Sequence, residues 1–60
     1  MQVNFINEAS ILLKSSMASK IVIPIKDSRI TIEYVNYTVS EISYNYDLGI
    51  ISIHVTLFYI

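Results

Sequence analysis

Gly49-Ile50-Ile51-Ser52-Ile53-His54-Val55-Thr56-Leu57-Phe58-Tyr59-Ile60 is the longest stretch in this chain with a period of two, and it is dense in β-branched and aromatic residues. That combination predicts a strand, because a pleated backbone sends successive side chains to opposite faces and branched side chains pack well on it. Ile51, Ile53, Val55, Leu57 and Tyr59 share one face. Ser52, His54 and Thr56 share the other until Phe58 and Ile60 make it apolar as well. The last residues of the chain are therefore expected to be buried on both sides.

Upstream of this strand, Asp47-Leu48-Gly49-Ile50 supplies turn chemistry, with the only glycine of the chain able to take positive φ. A four-residue loop that sets Tyr46 opposite Ile51, Tyr44 opposite Ile53 and Ile42 opposite Val55 keeps one face apolar and the other polar. A three-residue loop mixes them, so the four-residue register is expected. Extended, it brings Val39 beside Phe58 and Tyr37 beside Ile60. Residues 29–47 contain no Gly or Pro and exceed a usual strand length. Their apolar phase switches from Ile30, Ile32 and Tyr34 to Val35, Tyr37 and Val39, and back to Ile42, Tyr44 and Tyr46, so a bulge, bend or loop is expected near Asn36 and another near Ser40.

In the first half, Gln2–Ile6 alternates and reads as a short strand. Asn7 followed by Glu8 reads as a helix start, since an Asn side chain caps open backbone N–H groups and an acid suits the positive first turn. Ala9, Leu13 and Met17, four apart, form a stripe on a helix of about ten residues; the rival is a strand at Ser10–Lys14 followed by a Ser-rich loop. Lys20–Lys26 alternates through Ile21, Ile23 and Ile25. Pro24 confines it to an edge strand, and Lys26-Asp27-Ser28-Arg29 is expected to turn it into a hairpin with residues 30–34. The expected fold is α+β: one short helix packed on an antiparallel sheet of three to five strands, in a single domain spanning residues 1–60. The alternative is an all-β meander with strand edges joined between copies.

Sixty residues bury only about 60% of their unfolded surface, yet 53% of this chain is apolar. It has no cysteine and one histidine, so neither a disulfide nor a zinc cluster is available to staple it. A homo-oligomer, most simply a dimer, is expected to hide the excess apolar surface, with Tyr37, Val39, Phe58 and Ile60 as its interface. The formal net charge is −1 and the four basic residues, Lys14, Lys20, Lys26 and Arg29, are scattered, which disfavours nucleic acid. Apolar runs are too short to span a bilayer and the N-terminal residues lack a basic and apolar leader pattern, so a cytoplasmic protein is expected.

Chemistry is sparse. His54 is the only side chain that ordinarily titrates near neutrality, and with Ser43 and Glu41 expected close by it outlines a triad, but on a flat strand without an oxyanion hole. No enzyme activity, metal or cofactor is expected. Tyr34, Tyr37, Tyr44, Tyr46 and Tyr59 provide stiff contact area with a polar tip, the composition that interfaces favour, and Tyr44 and Tyr46 are the expected partner contacts. The expected function is a non-enzymatic interaction module, with the chain itself and a host protein as partners.

Two resemblances bear on that expectation. Lys20-Ile21-Val22-Ile23-Pro24-Ile25 is similar to the "VIP" segment of AbrB- and MazE-like swapped-hairpin DNA-binding dimers, which implies a small dimeric DNA-binding regulator as the alternative function; the basic residues and Gly-Asp turn of that family are missing. In size and composition the whole chain resembles small phage-encoded inhibitors of bacterial defence systems, a class without a defining motif. Residues with A/T-rich codons (Ile, Asn, Lys, Tyr, Phe) number 26 against five with G/C-rich ones (Ala, Gly, Pro, Arg), which fits an A/T-rich genome.

Overall fold

A computed structural model describes residues 1–58 as a five-stranded, nearly closed mixed barrel. Its strands are β1 (Gln2–Ile6), β2 (Leu12–Met17), β3 (Arg29–Ile32), β4 (Val35–Asn45) and β5 (Ile50–Leu57). The order across the sheet is β2-β1-β5-β4-β3. The expected strand at the C-terminal end is thus the centre of the sheet, antiparallel to β4 and parallel to β1. Val3, Phe5, Ile32, Val39, Ile51, Ile53 and Val55 are the buried core, with three of the seven on β5.

The α+β expectation is overturned: among the described residues the only helical element is one 3₁₀ turn, Ala18–Lys20, and the fold is all-β. It is not a simple meander either, because β5 crosses to pair with β1. Asn7 does use its side chain on open N–H groups, but they belong to Ala9 and Ile11, 2.9 and 3.0 Å away. The Ser10 N–H donates back to the Asn7 carbonyl and Ser10 takes φ +61°. The result is a tight turn that lays β2 back on β1. A register shift there, with Phe5 opposite Lys14 and Ile6 opposite Leu12, leaves Leu13 as an extra residue. That bulge breaks the alternation of β2 and gives it an accidental four-residue spacing. A ten-residue helix is marginal in water; pairing with β1 satisfies the same backbone groups cooperatively.

The hairpin expected between Lys20–Lys26 and residues 30–34 is also absent. Ile21–Lys26 forms no strand, although Ile21 and Ile23 pack against the core while Val22 and Ile25 are exposed. Its alternation reports burial of an irregular covering segment, and the strand implied by the swapped-hairpin resemblance does not form. β3 instead pairs forward with β4, with Ile30 opposite Tyr37 and Ile32 opposite Val35. The turn between them is Glu33-Tyr34, both left-handed at φ +48° and +70°, so the first phase change falls two residues before Asn36. The second is a bulge at Ser40: Val39 pairs with Val55 and Glu41 with His54.

The loop between β4 and β5 has four residues, Tyr46–Gly49, but it lies one residue earlier than expected. Tyr44 is opposite Ile51 and Ile42 opposite Ile53, not Ile53 and Val55. A two-residue slip conserves both faces, so periodicity cannot detect it. Turn chemistry selects the register: the Asn45 side-chain oxygen accepts from the Leu48 N–H at 3.1 Å, and Gly49 takes φ +68°.

Candidate functional site

The outer face of β5 is polar, and its neighbours continue it as a polar row at Ser52 and a mixed row at His54. The registers align Ser15, Asn4, Ser52 and Ser43 in one row across four strands, and Leu12, Ile6, His54 and Glu41 in the next. Asn4 Oδ1 accepts hydrogen bonds from Ser15 Oγ at 2.6 Å and Gln2 Nε2 at 3.0 Å, so part of this face is a fixed hydrogen-bonded surface. The proposed triad does not assemble. Ser43 is opposite Ser52 rather than His54, and Ser40, the nearest bulge hydroxyl, donates to the His54 backbone carbonyl at 3.0 Å. Among the described residues no group of three or more metal-ligating side chains converges. No helix among them is long and apolar enough to cross a membrane.

Among the described residues, Tyr34 and Tyr37 lie toward the N-terminal end of β4, and Tyr44 and Tyr46 toward its C-terminal end. At one end Tyr44, near the end of β4, and Tyr46, the first residue of the following loop, lie together. Their rings stack with centroids 6.3 Å apart and planes at 15°. Tyr46 is 81% exposed and Leu48, in the same loop, 70%. The Gln2 N–H donates to the Gly49 carbonyl at 2.9 Å and the Ala18 N–H to the Met1 carbonyl at 2.8 Å, which holds the loop to β1 and brings exposed Met1 and Met17 to the same end.

At the other end, Tyr34 is fully exposed in its left-handed turn. Tyr37 is half-buried opposite Leu57, and its ring lines a shallow depression with Asn7, Glu8, Ala9 and Leu57. Phe58 is half-buried, with the Arg29 guanidinium 4.2 Å above its ring. Val39 is wholly inside the chain's own core, opposite Val55, because the bulge at Ser40 puts odd-numbered residues on the inner face before it and even-numbered Ile42 and Tyr44 on that face after it. Ile60, the remaining expected interface residue, lies outside the described residues, as does Tyr59. Two features had no clear sequence signal: the Arg29–Phe58 contact and the exposure of Leu48. Both depend on strand order.

A second depression lies between the two edge strands. Phe5 and Lys14 line it from the β1–β2 side, Ile30 and Ile32 from β3, and Ile21, Val22 and Pro24 from the covering segment. The chain matches no known protein family, no curated protein and no solved structure.

Proposed function

We propose that this chain is a non-enzymatic, self-associating interaction module that offers the Tyr44–Tyr46–Leu48 end to a partner protein. The observation that carries this reading is the stacked, solvent-exposed tyrosine pair. Two rings already stacked at the end of β4 present a large amphipathic area and lose little conformational freedom on binding. A fold that served only itself gains little from leaving Tyr46 and Leu48 in water. The A/T-rich residue usage and small size favour a phage or mobile-element source, a host protein as partner and the host cytoplasm as the place of action.

The test uses the intact chain as bait in lysate of a low-G+C bacterium, with the Tyr46→Ser/Leu48→Ser double variant alongside. Both positions are exposed, so the variant is expected to keep the wild-type circular dichroism spectrum. A host protein bound saturably by the wild type should lose affinity by roughly 30-fold or more, the scale of one interface hot spot. Equal binding by a folded variant would dismiss this end of the molecule as the contact.

A further inference from the structure

We propose that the depression between the two edge strands binds a medium-chain aliphatic carboxylate, a free fatty acid of about eight carbons, with Lys14 holding its headgroup. The inference is independent of the partner-binding reading above. Barrels with more strands than this one have interiors just wide enough for side chains or one small ligand. Here Val3, Val39, Ile53 and Val55 fill the inside completely, and the room that remains is the gap where β2 and β3 fail to meet. The mouth of a barrel is a frequent place for a small-molecule site. The buried Phe5 and Ile32 line this one, beside half-buried Ile21, Pro24 and Ile30.

Charge decides the headgroup. Lys14 is the one charged side chain among the residues lining the depression, and no carboxylate joins it there. β2 sets Lys14 directly opposite Phe5, and opposed residues of a strand pair share a face, so the lysine leaves the sheet on the same side as a core residue. A lysine so placed lays its stem on apolar surface and keeps its ammonium in water at the edge. An aliphatic chain that enters with its carboxylate last puts its methylenes against Phe5, Ile30 and Ile32 and its charge beside that ammonium. A neutral chain of the same length fills the space but leaves the ammonium without a partner.

Size decides the tail. The depression has a volume of about 200 Å³, and at roughly 30 Å³ for a group the size of a water molecule it takes about seven methylenes. One wall can adjust to the chain. Among the described residues, 21–24 make no backbone hydrogen bond to either edge strand, and their hold on the barrel comes through Ile21 and Ile23 packed on the core. Segments with so few backbone bonds open at the lowest free-energy cost in a fold. Val22, 92% exposed at the rim, is an apolar side chain that a bound tail would shield from water.

Sodium octanoate, titrated below its micellar concentration into the isotope-labelled full chain and followed by amide NMR, provides the test. The signals of Ile21, Ile30 and Ile32 should shift saturably, with a Kd on the order of 1 mM. Lengthening the probe from butanoate to octanoate should tighten binding roughly threefold per methylene, and dodecanoate should gain little more because the depression is then full. Lys14→Gln and, separately, Val22→Asp, which sets a carboxylate at the rim, should each weaken octanoate roughly tenfold and leave octanol unchanged. Both positions are exposed, and circular dichroism checks that each variant keeps the fold. The site is overturned if no saturable shift occurs at these residues, or if affinity keeps rising to dodecanoate as it would on any apolar surface. Octanoate binding indifferent to Lys14→Gln would overturn the headgroup assignment and leave Lys14 as protection of a strand edge.

Discussion

Tyr34 and Asn7 show how single side chains decide local chain direction here. Left-handed backbone costs a residue other than glycine about 1–2 kcal/mol, less for Asn, and the Glu33-Tyr34 turn places two such residues in succession. Replacing Tyr34 by Gly should therefore stabilise a single chain by about 0.5–1 kcal/mol. For a 60-residue domain that is an increase in Tm of several degrees, measured by circular dichroism in dilute solution. A drop in Tm would mean that Tyr34 has a structural role within the chain. Asn7 works in the opposite sense, accepting from two backbone N–H groups at once. Asn7→Ala leaves both donors without their partner and should lower stability by about 1 kcal/mol, visible as a lower urea midpoint at unchanged m. If the midpoint stays put, water replaces the side chain without loss.

Among the elements, β5 dominates because it is the central strand and joins the β1–β2 hairpin on one side to the β3–β4 hairpin on the other. Its inner residues, Ile51, Ile53 and Val55, are each almost wholly shielded. Ile53→Ala removes buried carbons from a site that the rigid surrounding strands cannot fill, which should destabilise by roughly 2–5 kcal/mol. Domains of this size hold about 3–9 kcal/mol in total, so the variant is expected to be largely unfolded at 37 °C. A cooperative thermal transition near the wild-type Tm would show that the core sits elsewhere. β2 and β3, the two edges, differ in how they meet solvent. β2 carries a bulge and Lys14, both of which discourage a further strand, whereas β3 is only four residues long and carries the single charge of Arg29.

At the scale of the molecule, a small core and many exposed apolar residues coexist, and the two exposed ends differ in character. One end presents stacked tyrosines and a leucine on a hairpin loop; the other presents a short charged strand edge and a strained aromatic.

The period of two in β1 and β5, the inner face formed by Ile51, Ile53 and Val55, the turn at Gly49 and the irregularity at Ser40 were all legible from the residues themselves. Each is a local steric or solvation preference expressed over a few positions. The helix expected after Asn7 and the hairpin expected after Lys20 were not settled at that level. A bulge at Leu13 hid one alternation, and an irregular segment that covers the barrel imitated another. Only the tertiary structure decided that β5 lies beside β1, that the β4–β5 pairing slips by two, and that Val39 turns inward while Tyr34 stays outside. Those outcomes depend on contacts between residues distant in sequence, and shifts by two residues leave the local hydrophobic pattern unchanged.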